Sequence, residues 1–359
     1  MSVKTIKDIA KAANVSYSTV SRAVNNRPGV REETRRRVLD LAEALEYRPN
    51  GPARSLVSRK TYTIGLIIPD ITNPFFPELA RAIEERAQDS GYSLVLCNTG
   101  WDEGKERRFI EMMAERRVDG ILIAPSAHAA EQLDRELERI NLPMVYVGHA
   151  PAGTRRRYVV MDDTSGGRIA TEHLLDQGVR TIGFIGATDE SVSIQARLSG
   201  FREACRSRGF PEERQVVTLE EFRGSSGYDV VERLLDWEKC PEALFCENDV
   251  LALGVLDAAR TRGIRVPEEL LVIGFDDIPF ARLQAFGLST IAQPKREMGR
   301  LAVEILLSAM GSEDPIDASQ ALLAGSDLGR LETQGGQVVL QPTLVTRTTS
   351  LRMTGARRS

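Results

Sequence analysis

The sequence predicts an α/β protein with an N-terminal helix-turn-helix domain and a larger, two-lobed body of doubly wound parallel sheets. Three observations lead to this fold class. The first 60 residues show short helical patterns and no strand pattern. The remaining residues alternate apolar strand patterns with helical ones, which is typical of parallel sheets. Thr63-Ile-Gly65 is echoed by Thr181-Ile-Gly183 at the start of a second strand–helix series, so we expect two lobes.

Charge is distributed unevenly along the 359 residues. The net charge is −4, but residues 1–60 carry +7 and the rest of the chain carries −11. A basic head on an acidic body indicates that the head meets nucleic acid or another anionic surface. No apolar run approaches the ~18 residues of a membrane span, and the N-terminal residues lack a secretory apolar segment. We therefore expect a cytoplasmic protein.

The short signatures of common enzymes are missing. There is no nucleophile elbow, phosphate-binding loop or dinucleotide fingerprint, and the three histidines lack metal-ligand spacing. The four cysteines form no C-x-x-C pair and lie in apolar surroundings, so we expect reduced thiols: Cys97, Cys205, Cys240 and Cys246. We predict no enzyme, no metal and no cofactor.

The head begins with two short helices that form a helix-turn-helix. Thr5 and Asp8 match a capping box before a helix over 6–13, and Ser16 can cap a second helix that ends near residue 25. A third helix over 31–45 supports both. In this motif the second helix enters a major groove, and its N-terminal residues meet base edges.

The second helix therefore carries the predicted base-reading residues, Tyr17, Ser18 and Arg22. Arg22 has two donors that can reach a guanine edge. Phosphate contacts, which position a protein without specifying sequence, are predicted for Ser16, Thr19, Ser21, Asn25 and Arg31, and Thr5 joins the predicted DNA-binding set. The alternative is a helical domain with a solvated basic face. The +7 charge favours DNA binding.

Residues 49–60 connect the head to the body. Asn50 can cap a helix of about seven residues, which is too short to hold alone in water. One interpretation is a flexible linker. The other is a hinge helix that folds only against DNA and a partner copy, with Leu56 as an apolar wedge in the minor groove. The second interpretation places Asn50, Ala53, Arg54 and Leu56 in the DNA interface.

Residues 3–60 resemble the head of the LacI/GalR family of bacterial transcription regulators. The matching strings are Thr5-Ile-Lys-Asp-Ile-Ala, Val15-Ser-Tyr-Ser-Thr-Val-Ser-Arg22 and Tyr47-Arg-Pro-Asn50, followed by Ala53-Arg54-Ser-Leu56. In that family the hinge helices of two subunits pair, and a leucine like Leu56 opens the central step of the operator. The resemblance implies a homodimer on a pseudo-palindromic double-stranded DNA operator.

The body is predicted to part near residue 162. We expect a helix-turn-helix domain over 1–48, a hinge over 49–60, a first lobe over 61–161 plus 293–325, and a second lobe over 162–292 plus 326–359. Residues 311–336 are rich in Gly, Ser and Asp, which predicts a long loop that can hold a helix over 318–323. A final strand is expected over 342–347.

Ligands of doubly wound sheets bind outside the carboxyl ends of the strands, which here means the cleft between the lobes. Aromatic and polar residues follow those strand ends: Asn73, Phe75, Phe76, Arg197, Phe222, Asn248, Asp276 and Gln293. Such a set is typical of a polyol site. Core positions for the phenylalanines and a surface salt bridge for Arg197 stay open, and Asp249 is expected at a helix N-terminus.

The body also resembles that family and its relatives, the periplasmic sugar-binding proteins, through residues 67–76, 197–201, 246–254 and 273–277. The resemblance implies that the residues named above contact a small effector. Sugar-binding members often carry Leu-Asp-Arg after the fourth strand, where this chain has Tyr146-Val-Gly-His149. His149 either takes part of that role or lies on the rim. No heptad pattern follows Arg347, so we expect a dimer and not a coiled-coil tetramer.

The predicted function is transcriptional regulation, with a repressor favoured. A sugar-like effector between the lobes would change operator affinity by allostery. The alternatives are a purine, nucleoside or phosphorylated effector for the same kind of regulator, and a sugar-binding transport protein. The basic head and the lack of a secretory segment argue against transport. The sequence leaves open which effector binds and whether it acts as inducer or corepressor.

Overall fold

The computed structural model describes residues 5–24, 28–45, 60–126, 140, 142–150, 153–187, 192–220, 231, 239–311, 332–334 and 336–352. The chain divides into two compact units, Met1–Thr61 and Tyr62–Ser359. Several predicted features lie outside the described residues: Asn25, Asn50, Ala53, Arg54, Leu56, Phe222 and the helix over 318–323.

The first unit contains the predicted helix-turn-helix. Its helices are α1 (Ile6–Ala13), α2 (Tyr17–Val24) and α3 (Glu32–Ala44). Thr5 and Asp8 form the expected capping box, since the backbone N–H and the hydroxyl of Thr5 donate to Asp8 Oδ2 at 2.7 and 2.9 Å. The three helices enclose a small apolar core that consists of Ile9, Ala13, Val20, Ala23, Val38 and Ala42.

Strands and helices alternate along the second unit, as predicted. In chain order they are β1 (Thr63–Ile68), α4 (Phe75–Asp89), β2 (Ser93–Asn98), α5 (Glu103–Glu115), β3 (Gly120–Ile123), β4 (Met144–Gly148), β5 (Arg157–Met161), α6 (Asp163–Asp176), β6 (Ile182–Ala187), α7 (Val192–Ser207), β7 (Gln215–Glu220), β8 (Ala243–Cys246), α8 (Asp249–Thr261), β9 (Leu271–Asp276), β10 (Ser289–Ala292), α9 (Lys295–Ala309), β11 (Glu332–Gln334), β12 (Gln337–Leu340) and β13 (Thr343–Val345). Short 3-10 helices cover Glu212–Arg214, Pro279–Arg282 and Thr348–Ser350.

The strands form two sheets, which are the cores of the two lobes. The first lobe has the order β11-β12-β5-β4-β3-β1-β2 and the second has the order β13-β10-β9-β8-β6-β7. All pairings are parallel except β11 with β12 and β10 with β13. Helices pack on both faces of the first sheet, because alternate residues of β1 enter different apolar clusters. The predicted two-lobed α/β body is thus confirmed.

The chain passes between the lobes three times. It leaves the first sheet after Met161, returns to the first lobe between Ala292 and Lys295, and enters the second sheet again between Leu340 and Thr343. The prediction that residues 326–359 belong to the second lobe was wrong for the strands over 332–334 and 337–340. β12 pairs with β5 in the first sheet, where Leu340 is buried.

The predicted loop over 311–336 was also wrong at its end, because residues 332–334 form β11 and pair with β12. The three apolar residues over 338–340 gave no sign of which sheet they would join. The strand predicted over 342–347 is present as β13.

Within the described residues, no helix combines the length and the apolar character that a bilayer crossing requires. The four cysteines are free. Burial raises the pKa of Cys205 and of Cys240 to about 11, so both thiols stay protonated at neutral pH.

Candidate functional site

The exposed face of α2 carries the side chains predicted to read bases. Tyr17 is 54% exposed, and Ser18 and Arg22 are exposed beside it. Ser16 caps the helix, since its hydroxyl accepts from the backbone N–H of Thr19 at 3.1 Å. The Ser16 hydroxyl also lies 2.8 Å from the hydroxyls of Ser18 and Thr19. The helix therefore begins with a hydroxyl cluster that reaches solvent next to the aromatic ring.

Arg35 fixes the other end of α2 and was not predicted. Its guanidinium donates to the carbonyl of Ala23 at 3.1 Å, so α3 satisfies a carbonyl that the helix end leaves open. Thr5 uses its hydroxyl in the capping box, whereas Arg31 is exposed just before α3. The assignment of Thr5, Ser16, Thr19, Ser21 and Arg31 to DNA contacts stays a prediction.

In the body, Arg197 is the centre of a buried charge network in the second lobe. Its Nε donates to Asp163 Oδ1 at 2.8 Å, and a terminal nitrogen donates to the carbonyl of Glu247 at 2.6 Å. The guanidinium carbon lies 3.7 Å from the centre of the Phe275 ring. Arg197 is thus a buried, paired cation. The alternative of a surface salt bridge was wrong, because the pair with Asp163 lies in the interior.

Asp276 and Gln293 come together at the end of the same sheet. The Gln293 amide donates to Asp276 Oδ1 at 2.6 Å. Burial raises the pKa of Asp276 to about 6, while the cations of Arg197 and Lys295 oppose that rise. With a pKa of about 6, this carboxyl is mostly ionised at neutral pH.

Asn248 and Asp249 serve the local structure of α8. Asn248 Oδ1 caps the helix by accepting from the N–H of Leu251 at 2.8 Å. Asp249 begins the helix, as expected. Its buried carboxylate accepts from the N–H of Ile278 at 2.8 Å and from the hydroxyl of Thr290 at 2.6 Å. Asp249 thus ties α8 to the turn that follows β9.

On the first lobe, Asn73 and the two phenylalanines lie at the start of α4. Asn73 Oδ1 accepts from the N–H of Phe75 at 3.0 Å. The rings of Phe75 and Phe76 meet edge to face with centroids 5.1 Å apart, and Phe76 also contacts Trp101. Both phenylalanines are buried in the main apolar cluster, so the core position that the sequence kept open is occupied.

His149 follows β4, and its two ring nitrogens have different surroundings. The ring is hydrogen-bonded to the carbonyl of Pro125, and its buried Nε2 has no partner within the part of the chain that the structure describes. Burial lowers the pKa of His149 to about 4, and the nearby charge of Arg197 acts in the same direction. The ring is therefore neutral, and Nε2 is an acceptor. Because Arg197 acts on it electrostatically, His149 lies near the carboxyl end of the second sheet.

Glu106 of α5 contacts the segment next to His149, and the sequence did not reveal it. Its Oε2 accepts from the backbone N–H of Ser126 at 2.6 Å, and no described residue is bonded to its buried Oε1. Burial raises the pKa of Glu106 to about 7. Glu106 is thus bonded to Ser126 and His149 to Pro125, so both contact one short segment of the chain after β3. In the sequence Glu106 is one glutamate among several in a charged helix, so no pattern distinguishes it.

The other site residues that sequence reasoning missed are Asp163, Glu247 and Lys295. Each is buried and bonded to a predicted residue or to its neighbour. No motif identifies them, because their roles depend on which strand ends the fold brings together. Among the described residues, no group of His, Cys, Asp or Glu is placed to hold a metal ion.

Comparison with known proteins covers both units. Residues 5–50 match the family described as bacterial regulatory proteins, lacI family, and residues 171–350 match the periplasmic binding protein-like domain. The transcriptional repressor PurR of Haemophilus influenzae is 39% identical over 312 residues, which cover 86% of this chain and 92% of that protein.

Solved structures agree over nearly the whole length. The lac repressor dimer bound to operator and an anti-inducer has a TM-score of 0.81 at 25% identity, and the match covers 98% of this chain and all of that one. A LacI-family regulator from Enterococcus faecium with bound ribose has a TM-score of 0.67 at 27% identity, and the match covers 81% of this chain and all of that one. The chain therefore belongs to the LacI family of DNA-binding transcriptional regulators and, as predicted, is not an enzyme.

Proposed function

We propose that this regulator is a repressor whose affinity for operator DNA is set by a small, sugar-like effector bound between the two lobes. The observation that carries the proposal is the set of polar groups at the strand ends. Arg197, Asp276 and Gln293 lie together on one lobe, and His149 lies close enough for the Arg197 charge to act on it. Because such a regulator works on DNA, we also propose a cytoplasmic location.

A sugar fits the chemistry of these groups. Asp276 keeps one carboxylate oxygen free of the bond to Gln293, and His149 Nε2 is a neutral acceptor, so both can accept from hydroxyls. Arg197 supplies donors on the same side. The structural relative with bound ribose supports a ligand of this size and polarity. Phe222, which lies outside the described residues, stays a predicted contact.

A nucleobase or nucleoside is the second candidate, and one observation favours it. Sugar-binding members of the family often carry an aspartate and an arginine after the fourth strand, whereas this chain has the neutral His149 there. A neutral acceptor also suits a ring N–H or an amino group. A phosphorylated effector is less well matched, since Arg197 already balances Asp163.

The DNA interface is proposed from the first unit. Tyr17, Ser18 and Arg22 project from α2, where a major groove would meet them. Each head would read one half of a pseudo-palindromic operator, with binding that weakens steeply as salt rises. The lac repressor, which is similar along its whole length, was solved on its operator and supports this arrangement.

A homodimer is proposed from exposed apolar side chains of the second lobe. Phe280, Leu283 and Phe286 are 51%, 49% and 38% exposed within one short segment. A second copy would cover such a patch, which is costly to leave in water. The proposal is tested by sedimentation of the full chain. A Phe280→Ser, Leu283→Ser variant should sediment as a monomer at concentrations where the wild type is a dimer.

The effector is identified by a thermal-shift screen of sugars, sugar phosphates, nucleobases and nucleosides. A ligand that binds the folded protein raises its melting temperature with concentration. Each hit is then added to the protein bound to DNA selected from a random library, and fluorescence anisotropy gives the sign of its effect. A hit from nucleobases alone would replace the sugar with the second candidate. Turnover of any hit would contradict the proposal.

Leu56 tests the proposed role of the hinge. Leu56→Ala should lower affinity for the selected DNA at least tenfold, because an apolar wedge that opens a base step would be lost. The melting-temperature shift given by the effector should be unchanged, since Leu56 lies outside the body. Unchanged DNA affinity in an anisotropy titration would refute the wedge.

A further inference from the structure

Lys295, the first residue of α9, lies where the chain passes from the second lobe to the first. It is 7% exposed. Its ammonium donates to the backbone carbonyls of Asp276 and of Asp277, the latter at 3.0 Å. The same nitrogen lies 3.0 Å from Glu78 Oε2 on α4. One buried cation therefore contacts the backbone of the second lobe and a side chain of the first.

The turn that Lys295 holds is strained. Asp276 and Asp277 both have positive φ, 112° and 51°, a region that residues other than glycine rarely adopt. Such backbone persists only when its surroundings over-determine it. Here Gln293 holds the Asp276 carboxylate at 2.6 Å, and Arg347 holds the Asp277 carboxylate at 2.7 Å. Lys295 holds the backbone of the same two residues, since its ammonium donates to both of their carbonyls.

The position of Lys295 in the chain makes this contact responsive to lobe orientation. Gln293 and Lys295 both belong to the crossing between β10 and α9. α9 packs on α4, where the space at Gly299 is filled by the backbone of Ile83 and by Ala82. Any rotation of the lobes about the crossing therefore moves Glu78 and α9 relative to the Asp276–Asp277 turn. A buried ammonium that lost an acceptor in this way would be strongly disfavoured.

We propose that Lys295 is a positioning residue that links the effector-facing carboxylate Asp276 to helix α4 of the other lobe, and that Glu78 holds it in that place. The inference rests on the proposed function only in taking Asp276 as an effector contact. A displacement of Asp276 at the effector site would then move the Lys295 ammonium and, through Glu78, helix α4. A displacement of α4 would in turn move the Asp276–Asp277 turn.

The electrostatics of the site agree with this role. Asp276 is acted on by Arg197 of α7 and by Lys295, which lower its pKa, and by Asp163 of α6, which raises it together with burial. Burial, together with the charge of Asp276, raises the pKa of the neighbouring Asp249 of α8 well above its ordinary value, which favours its neutral carboxyl. Because Lys295 is one of two cations that oppose burial, displacement of its ammonium should raise the pKa of Asp276 above the present value of about 6.

The test follows Asp276 without any effector. The full chain is labelled with ¹³C at aspartate carboxyl carbons, and the Asp276 resonance is assigned by its loss in Asp276→Asn. Its titration midpoint is then measured in the wild type, Lys295→Met and Glu78→Gln. We expect Lys295→Met to raise the midpoint by roughly one pH unit or more. Arg81→Met, which removes a cation from an exposed pair with Glu85 on the same helix, should leave it unchanged.

Glu78→Gln decides between a link and charge alone. If only charge acts, removal of a nearby anion lowers the midpoint of Asp276. If Glu78 holds the ammonium at the turn, its loss frees Lys295 and raises the midpoint. A fall in Glu78→Gln, or no change in Lys295→Met, would overturn the proposal. D-ribose is then added to the wild type while the Asp276 resonance is followed. A resonance that does not move would count against ribose as the effector and would leave the proposed role of Lys295 untouched.

Discussion

The carboxyl ends of the two sheets differ in how far their buried polar groups are satisfied. In the second lobe, Arg197, Asp249 and Asp276 all have hydrogen-bonded partners at 2.6 to 2.8 Å. In the first lobe, His149 Nε2 and Glu106 Oε1 are buried without one among the described residues. Buried polar atoms of this kind are costly to leave unpaired. Under the proposed function, the polar groups of the second lobe are already paired with one another, whereas those of the first lobe are where an effector would gain new bonds.

The largest expected effect comes from the second lobe, where the buried polar groups are paired. Arg197→Leu would leave the Asp163 carboxylate buried without its cation and should lower the free energy of unfolding by about 3–5 kcal/mol. Urea denaturation of the full chain at pH 7 measures it. Arg208→Leu, which breaks an exposed pair with Asp176 in the same lobe, should cost under ~1 kcal/mol. Equal losses in the two variants would remove the basis for the contrast.

The next effect comes from Glu106. Its pKa in the folded chain, about 7, lies above the ordinary value of 4.5, so folding favours its protonated form. Its contribution is therefore full below pH ~4.5 and is lost as pH rises to about 7. Glu106→Gln should not show that loss. Between acid pH and pH 7, the free energy of unfolding of the variant should therefore fall by roughly 1–3 kcal/mol less than that of the wild type. Glu111→Gln, on the exposed side of the same helix, serves as the control.

His149 should show a dependence of similar size and opposite sign. Its pKa is lowered from 6.5 to about 4, so its contribution is full above pH 6.5 and is lost as pH falls towards 4. His149→Phe should remove roughly 1–3 kcal/mol of that loss on acidification. The same variant should abolish the thermal shift given by the effector while pH 7 stability stays within ~1 kcal/mol. An effector that still binds would show that the unsatisfied nitrogen is not a ligand contact.

Much of this contrast was beyond the reach of the sequence. The predicted strands located Arg197, Asp276 and Gln293 at one edge, because parallel strands carry their ligand-binding residues at their carboxyl ends. The sequence did not indicate that Asn248 caps α8 or that Phe75 and Phe76 are buried together. Those outcomes depend on which helix a strand end meets, and local patterns do not encode it.

The fold was predicted correctly except near the C-terminus, where β12 was assigned to the wrong lobe. Strand–helix alternation is a strong local signal, and it placed the body's sheets and the helix-turn-helix correctly. The assignment of β12 failed because a short edge strand is recruited by the open side of β5, a long-range contact. Glu106 and Lys295 were missed for a related reason. Each is a charged residue in an amphipathic helix, and only the three-dimensional structure shows that it is buried.

The three passages of the chain between the lobes have a mechanical consequence. Separate connections after Met161, Ala292 and Leu340 fasten the lobes side by side, which suppresses twist and shear more than it suppresses bending about the line that joins them. If the lobes bend about that line, a small shift of the strand ends near it displaces the far ends of the lobes by a larger distance. Under the proposed function, this larger displacement is what would change the fit of the protein to operator DNA.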